Sequence, residues 1–275
     1  MIVITGATGS IGRALVARLH GQDVLAVSRK PADMGVRHAV GDFTSPETIG
    51  GLLSPGDRLF LNSSPFPGWA GRLNEVIDRA AKAGVAQIVS VSVRDAAPGA
   101  SLSAGPHGEI DEHLRASGVP HAILQPTGFM QNLIGDLRGG DRFHGAWGGG
   151  GMNYIDARDI AAVAAALLTR PVGASESYLL TGPESPTHEE IAATMTSVLG
   201  RPIAYVDLPV PEMAARLAGQ GVPEPFATEL ATAHATLGET GWAEITTTVE
   251  EVTGRPPHTL ADFLADHAAA FAPAG

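Results

Sequence analysis

The feature that most constrains this chain stands at its very start. Met1–Thr5 reads as a short buried strand, and it runs without a linker into Gly6-Ala7-Thr8-Gly9-Ser10-Ile11-Gly12. Ile11, Leu15 and Leu19 then recur at helical spacing. A strand, a glycine-rich turn and a helix in immediate succession form the opening βα unit of an α/β sheet. Each glycine has its own task in such a turn. One makes the tight bend, one lets the backbone approach a pyrophosphate, and one lets the helix pack closely on the strand. The helix N-terminus adds free N–H groups and the positive end of its dipole. Gly6, Thr8, Gly9, Ser10, Ile11 and Gly12 are therefore read as a cradle for dinucleotide phosphates.

The alternation continues. Asp23–Val27, Arg37–Val40, Arg58–Asn62, Gln87–Ser92 and His121–Gln125 read as strands, the last stopped by Pro126. Leu73–Ala83 and His107–Ala116 read as helices between them, and Gly84 follows the first at a C′ position. The predicted fold is α/β: a Rossmann-type doubly wound parallel sheet with a smaller, mostly helical C-terminal substrate lobe. Residues 1–135 are assigned to the dinucleotide domain, with 153–170 packing back on it, and residues 136–152 and 171–275 to the substrate lobe. Between Gly139 and Gly151 glycine dominates, interleaved with Phe143 and Trp147. That segment reads either as a flexible connection or as a mobile wall over a pocket. Farther on, Thr187 and Glu190 form a capping box ahead of a helix that Gly200 ends. The last helix, Thr259–Phe271, carries an apolar stripe.

Composition removes several classes of chemistry. The chain has 275 residues and no cysteine, so disulfides, thiolate catalysis and cysteine-ligated metals are excluded. The histidines show no ligand spacing, and no metal is expected. The formal net charge is −11, and Lys30 and Lys82 are the sole lysines, which argues against nucleic acid as a partner. No apolar run has the length of a membrane span and no targeting segment is visible, so a cytoplasmic protein without a membrane partner is expected.

The residues after the second strand choose between the two nicotinamide dinucleotides. An acidic residue there binds the adenosine ribose hydroxyls, whereas a cation takes the 2′-phosphate. Here the strand ends in Arg29-Lys30 with no acid, which points to NADP(H). Asp42 and Phe43 follow the third strand. Asp42 has two readings, an acceptor for the adenine amino group or a cap for the helix that begins near Pro46. Asn62, Ser63 and Ser64 end the fourth strand, at the edge where open α/β sheets bind ligands.

The glycine spacing, the cation after the second strand and Gly41-Asp42 together resemble the short-chain dehydrogenase/reductase superfamily. The stretch from His107 to Asn132 is similar to its NmrA-like atypical branch, as are Asp159-Ile160-Ala161 and the tail from Val252 to Phe263. The resemblance implies an NADPH-dependent oxidoreductase acting on a quinone or a similar planar aromatic carbonyl compound. Ordinary members of the superfamily use a Tyr-x-x-x-Lys pair. This chain has none, since neither lysine stands four positions after Tyr154, Tyr178 or Tyr205. By resemblance His107 takes the tyrosine position, Asp111 the lysine position, and Ser92 that of a serine that positions substrate. Pro126 stands beside the cofactor, preceded by Gln125 where the family usually has arginine.

Hydride transfer is the cofactor's chemistry, and the protein supplies orientation. A quinone gives a stable anion on accepting hydride, so it needs less help from a protein acid than a ketone does. His107 has the residue type for a proton donor near neutral pH. Phe66, Trp69, Phe129, Met130, Phe143 and Trp147 are candidate walls of a flat-ring pocket, although core packing explains part of such a set equally well. Two other readings stand beside the reductase: an NADP(H)-binding redox sensor acting through a protein partner, and an enzyme modifying or coupling aromatic polyketide-type products. The preference for Arg over Lys suits a GC-rich bacterial genome. The chain is expected to be a monomer or a homodimer.

Overall fold

The structure is a computed structural model, and it describes residues 1–137, 140–242 and 244–272. The chain begins with β1 (Ile2–Ile4), α1 (Ser10–Arg18), β2 (Val24–Ser28) and β3 (Arg37–Val40). There follow α2 (Pro46–Gly50), β4 (Arg58–Leu61), α3 (Trp69–Ala83), β5 (Gln87–Val91), α4 (Ala104–Ala116) and β6 (His121–Pro126). Next come β7 (Gly128–Phe129), α5 (Asn132–Leu137), β8 (Arg142–Gly145), β9 (Tyr154–Ile155), α6 (Ala157–Thr169) and β10 (Glu176–Leu180). The remainder holds α7 (His188–Leu199), β11 (Ala204–Asp207), α8 (Val210–Gly219), α9 (Glu224–Thr240), α10 (Thr248–Thr253) and α11 (Leu260–Asp266). A 3-10 turn over Ala268–Phe271 ends the described chain, where the sequence predicted continued helix.

Contacts divide the chain into two units. The first comprises Met1–Pro126, Ala157–Leu180 and Thr248–Arg255; the second comprises Thr127–Asp156, Thr181–Thr247 and Pro256–Gly275. The division falls after Pro126 rather than near residue 135, because the chain leaves the sheet there. The segment from 171 to 180 belongs to the first unit, since β10 pairs in parallel with β6. α10 also returns to the first unit, where it packs on α6.

The first unit is a seven-stranded parallel sheet in the order β10-β6-β5-β4-β1-β2-β3. This is the doubly wound Rossmann order with one added strand. Val3 and Ile4 are fully buried, as strands covered on both faces must be. Trp69, Leu73, Val76 and Ile77 of α3 join Ile110 and Leu114 of α4 in one core cluster. α1 packs against the Ala-rich α6, whose small side chains permit a close approach. Arg58 ties the C-terminal end of α6 down, donating to the carbonyls of Leu168 (2.7 Å) and Arg170 (2.6 Å).

The second unit contains two short parallel pairs, β7 with β9 and β8 with β11, besides its helices. Its core joins Met130, Leu133, Phe143, Trp147, Ile191, Met195, Phe263 and Leu264. Asn153 is fully buried and acts as a polar clip. Its side-chain oxygen accepts from Thr127 Oγ1 (2.9 Å) and the Gly182 amide (2.8 Å), and its Nδ2 donates to the Glu184 carbonyl (2.8 Å). The capping box at Thr187 and Glu190 is present as the sequence predicted.

The glycine-rich segment is packed. Gly139 lies outside the described residues. A side chain at Gly150 would run into the Gly238 backbone of α9, and one at Gly238 would run into the Trp147 carbonyl. These glycines serve backbone-to-backbone contact. Two of the side chains expected around a pocket, Met130 and Phe143, lie in the core of the second unit, whereas Trp147 joins that core and also lines a cavity with Gly148, Gly149, Asp207 and Leu208. Met130 and Phe143 are 1% and 2% exposed, and the pairing of β8 with β11 sets Phe143 against Tyr205. Trp147 stacks on His188 (4.7 Å between ring centroids) and on His234 (4.1 Å).

Burial lowers His188 from 6.5 to about 3, aided by the neighbouring His234 and opposed by Asp207. Burial likewise lowers His234 to about 4. Both rings are therefore neutral in the folded protein, whereas the unfolded chain binds protons on them below about pH 6.5. The unfolded state binds more protons in that window, so stability falls as pH drops from about 6.5 toward 4. Urea midpoints that decline over this range, with a shallower decline in His188→Gln, are expected. A second expectation concerns packing. Gly238→Ala should cost about 2 kcal/mol through forced backbone shifts. Gly219→Ala, whose added methyl meets nothing, should instead raise stability by about 0.5 kcal/mol in the same urea titration.

Candidate functional site

The sheet order reverses at β1, with β2 on one side and β4 on the other. In open α/β sheets the ligand crevice lies beyond the carboxyl ends of the strands at such a point. Thr5, just past β1, fastens the two strands. Its Oγ1 donates to the Phe60 carbonyl (2.9 Å) and accepts from the Asn62 amide (2.9 Å). Gly6 then turns with φ +62°, and a Cβ there would lie 2.6 Å from the Asn62 carbonyl oxygen. A side chain at Gly12 would strike the Gly6 carbonyl, so α1 starts directly over the turn. Gly9 is the N-cap and supplies no side-chain acceptor. The amides of Ser10, Ile11 and Gly12 thus stay available to a ligand. Thr8 and Ser10 are exposed, and the Thr8 carbonyl accepts from Arg13 Nε (2.9 Å). A crowded turn that excludes side chains, beside an uncapped helix end, fits a dinucleotide's pyrophosphate.

At the end of β2, Ser28 Oγ donates to the Lys30 carbonyl (2.8 Å) and lies 2.8 Å from His38 Nε2. The turn is thereby fixed from its backbone, while Arg29 and Lys30 are exposed. Neither forms an ion pair among the described residues, and both are free to meet an anion. Asp42 is engaged locally: its Oδ1 accepts from the Thr44 amide (2.9 Å), which shapes the turn into α2. Phe43 packs at the edge of the first core. Ser63 Oγ donates to the Ser64 carbonyl (2.9 Å) in the stretch after β4. Pro126 is buried at the end of β6, where its carbonyl accepts from the Arg94 amide (3.0 Å).

α4 begins at Ala104, ahead of the predicted start at His107, because Gly105 and Gly108 allow the turn over 97–100 to lie against it. The helix places His107 and Asp111 one turn apart. Ser92, one residue beyond β5, donates to Asp111 Oδ2 at 2.7 Å, and both residues are buried. Burial pushes Asp111 from 3.8 up to about 6, against the pull of the Ser92 hydroxyl, the Arg115 guanidinium and Gln125. His107 moves the other way: burial lowers it from 6.5 to about 4. Its Nδ1 is buried without a hydrogen-bond partner, and Trp69 meets its ring edge-on with centroids 4.7 Å apart. The expectation that His107 titrates near neutral pH is thus corrected. A ring out of water and beside an indole stays neutral.

The structure brings Ser92, His107, Asp111 and Trp69 together, and joins the turn at Gly6 to Asn62. Trp69 is part of the first core and Phe66 packs on it, while Phe129 is half-buried in β7. Thr5 and His38 were not singled out from sequence. A hydroxyl closing an otherwise aliphatic strand was the available signal for Thr5. Among the described residues no group of three or more His, Asp or Glu can hold a metal ion, and no helix is long and apolar enough to cross a membrane.

Comparison with known proteins agrees with this geometry. Residues 6–171 match the sequence model of the family described as NAD(P)H-binding. The chain is 33% identical to the NAD(P)H azoreductase of Xenophilus azovorans, over 98% of this chain and 99% of that protein. It is 27% identical to quinone oxidoreductase 2 of Escherichia coli, over 95% of this chain and 96% of that protein. Its fold superposes with a TM-score of 0.85 on an NADPH-dependent quinone oxidoreductase of Escherichia coli complexed with NADPH. That match has 26% identity and covers 97% of this chain and 99% of that one. The chain belongs to the NAD(P)H-binding family, in its NmrA-like, atypical short-chain dehydrogenase/reductase branch, and is an NAD(P)H-dependent oxidoreductase.

Proposed function

We propose that the protein is an NADPH-dependent reductase of quinones and similar planar, conjugated acceptors, with azo compounds included. The observation that carries this reading is the pair on α4. His107 is neutral and Asp111 buried, one turn apart on one helix, and by the resemblance they take the places of the superfamily's tyrosine and lysine. No cation there lowers the pKa of a phenol, so the site is poorly equipped to reduce a simple ketone. A quinone or azo group accepts hydride with little assistance because its conjugated system spreads the charge. The azoreductase and quinone oxidoreductase relatives support the same class of acceptor.

The residues divide the work. The amides at the start of α1 take the pyrophosphate, and the Gly6–Asn62 contact sets where that helix starts. Arg29 and Lys30 favour the 2′-phosphate, hence NADPH over NADH. The bound dihydronicotinamide supplies the hydride. His107, held edge-on by Trp69, offers a neutral ring to an acceptor oxygen or nitrogen.

Anaerobic consumption of NADPH and NADH across a panel of quinones, azo dyes and aromatic ketones tests the reading. Turnover with NADPH, fastest for quinones or azo dyes, is expected. Tight binding without any turnover would instead favour a redox sensor, and preference for simple ketones would contradict the acceptor class. The cofactor choice has its own test. Arg29→Asp should weaken NADPH binding by about 10- to 100-fold, the value of a lost charged hydrogen bond. NADH binding should change by less than about threefold in the same titration, and equal losses would contradict the 2′-phosphate contact.

A further inference from the structure

Reduction of a carbonyl or azo group needs a proton as well as a hydride, and the expected donor is unsuited. His107 is a neutral imidazole at neutral pH and has no imidazolium proton to give, and no other side chain orients its ring through Nδ1. The neighbouring Asp111 is in the opposite state. It is wholly shielded from water, and Ser92 Oγ sits on its Oδ2 at 2.7 Å. Ser92 in turn follows β5 at the carboxyl edge of the sheet, the edge at which this fold binds its ligands. An acid in the interior is thereby joined by one hydrogen bond to a hydroxyl at the ligand edge.

We propose that Asp111 is the proton reservoir of the reaction and that Ser92 passes its proton to the reduced acceptor. The proposal rests on the reductase reading given above. The step balances at Ser92. As hydride from NADPH reaches the acceptor, the Ser92 O–H bond breaks toward the acceptor's oxygen or nitrogen. As the Ser92 hydroxyl turns from Asp111 Oδ2 to the acceptor, Oδ2 takes the donor role, and the Asp111 carboxyl proton moves to Ser92 Oγ and re-forms that bond. Asp111 is left as a carboxylate and is reloaded from water through Ser92 once product leaves. Serine is the relay and the group that touches the acceptor; Asp111 acts through it.

The surroundings suit a group that changes charge with each turnover. Those facing Asp111 are Ser92, just past β5, Gln125 from β6 and Arg115 from α4 itself, with His107 one turn away on the same helix. Arg115 also donates to Ser177 of β10 (3.2 Å), so it stands off the carboxyl group without neutralising it at contact distance. From α3, Asp78 is occupied by His113 at 2.7 Å, and Trp69 closes the side toward His107. Burial lifts Asp111 to about 6, which keeps a substantial fraction protonated near neutral pH, and the other groups trim that rise.

The pH dependence of single-turnover hydride transfer from NADPH to a quinone tests the relay. In the native protein the rate should fall about tenfold per unit as pH rises beyond about 6. Asp111→Asn, nearly identical in shape, should be slower and lose that inflection. Ser92→Ala should slow the reaction by about 10- to 100-fold, with partial recovery in Ser92→Thr. Carbon NMR titration of the cofactor-free protein gives a readout independent of turnover. Asp111 should titrate near 6, and higher in Ser92→Ala, because the hydroxyl stabilises the carboxylate. Thermal melts of each variant separate folding losses from chemical ones. An inflection that survives in Asp111→Asn, or an Asp111 that titrates near its ordinary 3.8, would overturn the relay while leaving the reductase reading intact. Absence of turnover with every acceptor would overturn both.

Discussion

The contact between Gly6 and the Asn62 carbonyl is the constraint on which the first unit depends. It lies where the sheet reverses its order, so it joins β1 to β4 at the mouth of the ligand crevice. The Thr5 hydroxyl repeats the connection one residue earlier by bridging the Phe60 carbonyl and the Asn62 amide. A larger residue at position 6 would need both a positive φ and space that the Asn62 backbone already fills. Displacing it would move the start of α1, and with it the three amides at its uncapped N-terminus. Strand pairing, helix start and anion site are thus one structural feature.

Around α4 the governing force is burial. His107 and Asp111 share a helix face but do not bond to each other, and desolvation moves them in opposite directions. Both therefore favour neutrality. For Asp111 the rise from 3.8 to about 6 corresponds to roughly 3 kcal/mol in favour of the protonated form. That contribution to stability is fully present below 3.8 and is lost as pH rises through about 6. The site thus holds an uncharged environment beside the sheet edge. Such an environment strengthens the short Ser92–Asp111 bond.

Local pattern made part of this legible. The aliphatic run before Gly6, the helical spacing after it and the alternation through His121–Gln125 predict the parallel sheet, and its order follows the doubly wound rule. The Thr187–Glu190 box is visible because a cap is a matter of three residues. Contacts distant in sequence were not legible. Ser92 and Asp111 are 19 residues apart, and no periodicity announces their bond. Phe143 looks like a pocket wall until β8 pairs with β11 and sets it against Tyr205. The glycines at 150 and 238 make sense only once the loop and α9 are seen to touch. Asp42, open between two roles in sequence, commits one carboxylate oxygen to its own turn through the Thr44 amide.

The proposed reaction moves hydride from NADPH to a planar acceptor, within a site built on the β1–β4 reversal. Stereospecifically deuterated NADPH tests it most directly, with single-turnover oxidation by a quinone followed under anaerobic conditions. One deuterated face should slow the reaction through a primary isotope effect, and the other should leave it unchanged, because a cofactor held in the cradle presents one face to the acceptor. Equal effects from both faces, or oxidation that ignores deuterium altogether, would contradict the account.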